Sequence, residues 1–237
     1  MKNYFITVDS ETTRDDLVAD FSAVISDRKG NIITQCAVLV SGIYNDEINH
    51  PLYYNENAGE QWTKKSLSKR YAAYQAMLDN GSRMIASPAA INRWLDRADA
   101  TYKPILTAYN LPFDSIKCAN TGIDLTQFAQ SFCLWSAAFT KFGNSKKFLE
   151  FVLDNHAFNN PTSKGNMTFK TNAEIMARFV LNNPEMPNEP HTSLEDIIFY
   201  ELPILNKLLK TMTVKDLLNS RSYDWKKCQV KNFFKVR

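Results

Sequence analysis

The stretch "ITVDSETT", residues 6–13, joins an apolar, β-rich run to two carboxylates, and it decides how the rest of the chain is interpreted. Asp9 and Glu11 form the one Asp-x-Glu pair in the sequence. Residues i and i+2 of a strand face the same side, so both carboxylates emerge together at the strand's end. Such a pair either binds a hard divalent cation, which relieves its repulsion, or consists of exposed acids where a strand enters a loop.

Two further strands follow the first one. The β-rich stretches "LVADFSAVISD" and "IITQCAVLVSG" are separated by "DRKGN", a turn composition, and they predict a hairpin beside the opening strand. Helical spacing then predicts a helix ending at Asn80-Gly81 and a second helix beginning at Ser87-Pro88. "KPILTAYN" predicts another strand, "PFDSIKCANTG" a helix, and "FAQSFCLWSAAF" either one. The order predicts an α/β fold with a mixed sheet and flanking helices.

Composition excludes few classes of function. The chain has 237 residues, 44% of them apolar, and a net charge of +3, so no global basic field indicates a nucleic-acid partner. The segment after Ser220, however, carries six basic residues and one acid among aromatic side chains. That mixture suits a phosphate backbone and unstacked bases, although a solvated terminal segment is the equal alternative.

The cysteines and the N-terminus indicate a cytoplasmic location. Four scattered cysteines without C-x-x-C spacing predict buried thiols in a reducing compartment rather than a zinc site: Cys36, Cys118, Cys133 and Cys228. Asp9 and Glu11 stand where a signal peptide would need an apolar core. No apolar run approaches the roughly 20 residues of a membrane span, so no membrane partner is expected.

Two more acidic positions lie at element boundaries. Asp114 follows the predicted strand "ILTAYN" after a short turn, where ligand sites gather in α/β sheets, but a carboxylate at a helix start has the same placement. In "EPHTSLEDIIFYELPIL", residues 189–205, Thr192 with Glu195 fits a capping box that would start a helix at Ser193. Pro203 is expected to kink that helix.

His191 and Asp196 stand five residues apart in that stretch. On one regular helix they would diverge by about 140°. The spacing makes sense for a shared site if Asp196 lies in the first helical turn while His191 lies on the preceding loop and can turn towards it. A surface histidine beside a proline is the alternative.

Taken together, three motifs resemble the DEDDh branch of the DnaQ-like 3′-5′ exonucleases over roughly residues 4–210. They are D-x-E on the first strand, N-x-x-F-D from Asn110 to Asp114, and H-x-x-x-x-D from His191 to Asp196, each occurring once and in that order. The resemblance implies a ribonuclease H-like fold over residues 1–212, followed by a basic, aromatic tail, 213–237, packed on or extending that domain. Arg14 and Tyr109 stand where the family often has glycine and histidine.

The resemblance also implies roles for individual residues. Two Mg²⁺ or Mn²⁺ ions would be held by four carboxylates, and His191 would be the general base. Asn110 and Phe113 would shape the site, and Thr12 would lie against the 3′ end of the substrate. The implied metal ligands are Asp9, Glu11, Asp114 and Asp196.

The implied activity is hydrolysis of nucleic acid from a free 3′ end to nucleoside 5′-monophosphates. Single-stranded DNA is favoured by analogy with stand-alone exonucleases that trim single strands. An exoribonuclease is the first alternative, because recognition of the 2′-hydroxyl depends on small contacts. A non-catalytic nucleic-acid-binding or partner-docking module on the same fold is the second.

Overall fold

The computed structural model describes residues 3–57, 60–143, 145–161 and 165–221, which form one mixed sheet between two layers of helices. The sheet order is β4-β3-β2-β1-β5-β6. β1 pairs antiparallel with β2 and parallel with β5, so the first strand is central. The strands are β1 (Tyr4–Thr12), β2 (Val18–Asp27), β3 (Ile32–Val40), β4 (Met84–Ala86), β5 (Ile105–Ala108) and β6 (Ser131–Cys133).

The N-terminal half of the sheet is confirmed as predicted, with three consecutive antiparallel strands. β2 is buried from Val18 to Ser26, as expected of a central strand covered on both faces. In the hairpin turn, the Asp27 carboxylate accepts hydrogen bonds from the backbone N–H groups of Lys29 and Asn31, at 2.8 and 3.0 Å. This bonding explains why "DRKGN" forms the turn.

Helices cover both sheet faces and enclose two hydrophobic cores. The predicted helix start at Ser87 is confirmed, because its hydroxyl accepts a hydrogen bond from the N–H of Ala90 and Pro88 occupies the first turn. The helices on one face are α1 (Leu67–Asp79), α2 (Pro88–Tyr102) and α3 (Leu111–Thr121). Those on the other include α4 (Leu134–Ala138), α5 (Lys146–Asp154), α6 (Ala173–Leu181), α7 (Ser193–Asp196), α8 (Leu202–Leu209) and α9 (Val214–Leu218).

Two elements differ from the sequence interpretation or refine it. β4, a three-residue strand parallel to β3, was not predicted, because Met84 and Ile85 are largely exposed and too short a run to show periodicity. The ambiguous stretch 128–139 contains both element types, since β6 ends at Cys133 and α4 begins at the next residue.

The helix start at Ser193 is confirmed, but the predicted capping box is wrong. Thr192 makes no side-chain capping hydrogen bond, and its hydroxyl finds no hydrogen-bond partner within the part of the chain that the structure describes. Glu195 instead pairs with Arg83, at 2.6 Å. The helix is also interrupted rather than simply kinked, because a π-helical turn, Ile197–Glu201, separates α7 from α8, which carries Pro203 in its first turn.

A buried ion network holds the start of α7 against the sheet. Arg83 lies before β4, and its Nε contacts the Asp20 carboxylate of β2 at 3.0 Å, with both side chains fully buried. The other Asp20 oxygen accepts a hydrogen bond from the backbone N–H of Ser193, at 2.9 Å. The Ser22 and Ser193 hydroxyls also share a hydrogen bond, at 2.7 Å. These contacts fix the helical turn that carries Asp196.

The C-terminal segment is described only in part. α9 begins with a capping box formed by Thr213 and Asp216, and Leu217 is completely buried in the core. Residues 222–237, most of the expected basic tail, and Cys228 with them, lie outside the described residues. Within the described part, no helix has the length and apolar character needed to cross a membrane.

We expect Arg83→Met to destabilise the fold by ~3–5 kcal/mol, because it leaves the buried Asp20 carboxylate without its cation. Urea unfolding measures this change in the free energy of unfolding. Glu195→Gln is the matched control, since the Glu195 side chain is 25% exposed, and it should cost about 1 kcal/mol or less. Equal losses in the two variants would contradict this account.

Candidate metal and catalytic site

Asp9 and Glu11 lie close to the end of the central strand, β1, and their side chains are on the same face of the sheet as that of Phe5. That face is packed against α7 and the π-helical turn after it. A β-bulge follows Glu11 and ends the regular pairing of β1 with β2. The predicted side-by-side placement of the two carboxylates is therefore what the strand geometry produces.

Helix α7 and the residue before its N-cap supply the next two predicted side chains. Asp196 ends α7 and is 5% exposed, whereas His191 lies outside the helix. His191 adopts a φ of 56°, a left-handed conformation that is uncommon for non-glycine residues and is found often at functional sites. Glu11, His191 and Asp196 each place one potential ligand atom within 4.8 Å of the others.

Asp114 approaches the same end of β1 from α3. Its carboxylate is buried and accepts a hydrogen bond from the Ser10 hydroxyl, at 2.7 Å. Ser10 stands between Asp9 and Glu11, so this bond attaches α3 directly to the Asp-x-Glu segment. Asp114 and Asp9 are near enough for the Asp9 charge to raise the pKa of Asp114, but neither belongs to the compact group formed with His191.

Burial and mutual repulsion disfavour the ionised carboxylates. Burial, and then the charge of Asp20, raises the pKa of Asp9 to about 7. Burial, and then the charges of Asp9 and Glu11, raises the pKa of Asp196 to about 11. The pKa values of Glu11 and Asp114 are likewise well above their usual range, with burial the main cause and the Asp9 charge the next.

His191 shifts in the opposite direction. Burial, followed by the nearby positive charge of Arg70, lowers its imidazole pKa to about 4. The imidazole is therefore neutral near neutral pH. Its Nδ1 lies 4.0 Å from a Glu11 carboxylate oxygen, so this contact is neither an ion pair at that pH nor a direct hydrogen bond.

Two acids that the sequence analysis did not select lie close enough to Asp9 for its charge to affect them. Burial, followed by the Asp9 charge, raises the pKa of Glu189 to about 8 and that of Glu201 well above its usual range. Glu201 is 3% exposed and ends the π-helical turn five residues after Asp196. The wider π turn reduces the divergence that an α-helix would give that spacing. A lone acid inside the apolar run 197–205 is the sequence signal that could have identified it.

An aromatic and cationic wall stands beside His191. The Trp62 ring lies 4.4 Å from the imidazole, centroid to centroid, and the Arg70 guanidinium lies 4.9 Å from the Trp62 ring. Arg70 also donates from Nη1 to the Tyr53 carbonyl, at 2.5 Å, whereas its buried Nη2 has no hydrogen-bond partner in the described ranges. Tyr53 in turn donates its backbone N–H to the Thr12 carbonyl, at 2.8 Å. No spacing in the sequence indicates this wall.

The three residues expected to contact substrate lie on or beside β1 and α3, the elements that carry Asp9, Glu11 and Asp114. Thr12 is buried at the end of β1. Asn110 precedes α3 with a φ of 84°, and Phe113 is 41% exposed with the Lys117 ammonium 4.9 Å from its ring. Arg14, one of the two residues that depart from the DEDDh pattern, has its guanidinium carbon 4.3 Å from the centroid of the Tyr54 ring.

Asp9, Glu11, Asp114, Asp196 and Glu201, which we call the acidic group, fit a divalent metal. Among the described residues, one carboxylate oxygen each of Asp9, Asp196 and Glu201 is buried without a hydrogen-bond partner. Buried polar atoms are normally satisfied, and carboxylate oxygens that repel one another are satisfied by a hard cation. The donor set suits Mg²⁺ or Mn²⁺, with His191 available at its margin.

Comparison with protein-family models and with curated proteins gives no match to this chain.

Without metal, the free energy of unfolding should fall as the pH rises from about 6.5 to about 9. At the lower end of this range the folded state retains a proton on Asp9, whose pKa is about 7, and throughout the range it retains one on Asp196, whose pKa is about 11, whereas the unfolded carboxyls are ionised. His191, with its pKa of about 4, is neutral in the folded state throughout. In the unfolded state its imidazole, with a pKa of about 6.5, loses its remaining proton by about pH 7.5, so it opposes the slope only in the first pH unit.

Urea unfolding across this range, in EDTA or in excess MgCl₂, measures the effect. Bound metal favours the ionised carboxylates in the folded state, so the downward slope should shrink in MgCl₂. A flat profile in EDTA, or identical profiles in the two buffers, would contradict the proposed electrostatics.

Proposed function

We propose that this chain is a metal-dependent 3′-5′ exonuclease with a ribonuclease H-like fold, acting on single-stranded DNA. The observation that carries the proposal is the convergence of a histidine and acids from distant segments: β1, α3 and α7. Glu11, His191 and Asp196 place ligand atoms within 4.8 Å of one another. Asp114 accepts a hydrogen bond from Ser10, which stands between Asp9 and Glu11. After burial, the charge of Asp9 is the next cause of the raised pKa of Asp114. The mixed sheet agrees with this fold without being specific to it.

The carboxylates would hold the metal ions, and the metal ions would make a phosphodiester of the substrate open to attack by water. Asp9, Glu11, Asp114 and Asp196 are the proposed ligands. When bound, Mg²⁺ or Mn²⁺ would supply Lewis-acid chemistry, which activates water and stabilises charge on the phosphate. The buried carboxylates cost free energy while unpaired, so the folded chain is biased towards binding cations.

His191 would accept the proton of the attacking water. Its imidazole is neutral at physiological pH, as a general base requires, because burial and Arg70 hold its pKa at about 4. Contact with Trp62 keeps the ring beside Glu11.

The choice of DNA over RNA rests on analogy, and an exoribonuclease is the alternative within the same chemistry. A non-catalytic nucleic-acid-binding module would retain the fold and need no cation. The acidic group, with its unpartnered buried oxygens, favours the enzyme over that module.

Purified protein should shorten 5′-labelled single-stranded DNA from its 3′ end in Mg²⁺ or Mn²⁺ and be inactive in EDTA. Asp196→Asn should abolish the activity, because a neutral amide is a poor ligand for a hard cation, and His191→Ala should lower the rate by ~10² or more. Gel ladders from labelled DNA and RNA strands measure both the direction and the preferred sugar.

Asp96→Asn, an exposed acid on α2 across the sheet, is the control for loss of a carboxylate. It should retain wild-type activity and stability. Full activity of Asp196→Asn, or activity of the wild type in EDTA, would contradict the metal mechanism. Faster shortening of RNA than of DNA would favour the exoribonuclease.

Trp62→Ala should lower kcat by ~10-fold while leaving the affinity for Mn²⁺ unchanged, because it removes the ring that positions His191 but no carboxylate. Trp62→Phe, which retains an aromatic face, should recover most of the rate. Calorimetric Mn²⁺ titration and single-turnover hydrolysis measure the two quantities. Trp94→Phe, on α2, controls for loss of an indole, and an unchanged kcat in Trp62→Ala would refute the positioning role.

A further inference from the structure

Glu201 is a buried acid outside the four proposed metal ligands. It is 3% exposed, and the π-helical turn that it ends, Ile197–Glu201, is otherwise apolar or aromatic. Among the described residues, its Oε2 atom has no hydrogen-bond partner. An unpaired carboxylate in apolar surroundings destabilises a fold, so packing alone gives no reason for an acid at this position.

The backbone of the π-helical turn places Glu201 relative to Asp196. The backbone N–H of Leu202 donates to the carbonyl of Ile197, five residues earlier, which is the bond of a π-helix. Pro203 comes next in the chain. It has no N–H for an α-helical bond, and in an α-helix its ring would clash with the carbonyl four residues before it. On a regular α-helix Asp196 and Glu201 would diverge by about 140°, and the wider turn reduces that angle.

The same turn packs on the sheet face that carries Asp9. It contacts β1 and β2, and the side chains of Asp9 and Glu11 lie on the face of β1 that it covers. One Asp9 oxygen, Oδ2, is also buried without a hydrogen-bond partner in the described ranges. Burial is the main reason that the pKa of Glu201 is well above its usual range. The charges that raise it further are, in decreasing order, those of Asp9, Asp114, Glu189 and Asp196. Glu201 therefore lies on the Asp9 and Asp114 side of the acidic group.

This placement favours a contact with metal-bound water over direct ligation. The compact set of ligand atoms comprises Glu11, His191 and Asp196, and Glu201 is not part of it. Mg²⁺ usually retains several water molecules in protein sites, and those waters need hydrogen-bond acceptors. A buried carboxylate oxygen without a protein partner is a suitable acceptor. Such outer contacts orient the groups around the ion and strengthen its binding.

We propose that Glu201 is a positioning residue of the metal site, which accepts a hydrogen bond from water bound to a cation held by Asp9 and Asp114. The proposal rests on the proposed function for the presence of the metal, and it adds a residue that none of the three DEDDh-like motifs contains. The burial of Glu201 then has a function, because the same carboxylate destabilises the metal-free fold and strengthens the metal-bound one. A purely structural acid would affect both states alike.

Glu201→Gln tests the proposal, because glutamine is the neutral isostere of a protonated glutamate. When the metal-free protein is titrated with MnCl₂ in a calorimeter, the variant should show a dissociation constant ~10-fold higher than the wild type, the scale of effect for partners outside the ligand shell. Its melting temperature in EDTA should equal or exceed that of the wild type, because one of several repelling buried carboxylates is gone. The rise in melting temperature on adding MnCl₂ should be smaller.

Glu150→Gln removes a glutamate that is 56% exposed on α5, and as the matched control it should equal the wild type in all three measurements. Glu201→Met, with an apolar side chain of similar length, covers the case that a buried amide prevents folding, and it should bind Mn²⁺ as weakly as Glu201→Gln.

Wild-type Mn²⁺ affinity in either Glu201 variant would overturn the proposal, as would failure of both to fold. A lower melting temperature in EDTA with an unchanged rise on adding MnCl₂ would also overturn it, because that is the result for a structural acid. Mn²⁺ binding by the wild type without any shortening of DNA would refute the exonuclease alone, since the difference in affinity needs no substrate. Absence of Mn²⁺ binding by the wild type would overturn both proposals.

Discussion

Repulsion between buried carboxylates at the end of β1 is the constraint on which the rest of this structure depends. Asp9 and Asp196 have pKa values of about 7 and about 11, because burial and neighbouring acids disfavour their charges. A fold that brings such groups together loses stability unless a cation or protons compensate. The chain nevertheless gathers them from segments almost 190 residues apart, and it adds Glu201 to the same surroundings.

Two arginines, Arg83 and Arg70, act on this acidic centre without lying among its carboxylates. Arg83 compensates Asp20 and fixes the start of α7, so the cation supports the site without entering it. Burial, and then the positive charge of Arg70, lowers the pKa of His191 to about 4, so its imidazole is neutral at neutral pH. An acidic centre beside the Trp62 ring and the Arg70 guanidinium suits the proposed polyanionic substrate.

The sequence predicted those parts of the molecule whose signals are local. β-rich composition and turn residues predicted the β1-β2-β3 meander, and helix-start residues such as Ser87 and Pro88 predicted α2. It did not predict β4, whose exposed residues show no pattern, or the role of Glu195, because the pairing with Arg83 spans 112 residues. Trp62 and Arg70 were missed for the same reason, since the contacts of Trp62 with His191 and of Arg70 with Trp62 follow from tertiary packing and leave no spacing to detect.

The central claim is that these carboxylates exist to hold divalent cations at the end of β1. Anomalous diffraction from crystals grown with Mn²⁺ tests it most directly, because the signal locates the metal independently of any assay. The account predicts anomalous density in contact with the carboxylates of Asp9, Glu11 and Asp196. Density at other surface acids with none beside these three, in crystals at neutral pH, would contradict it.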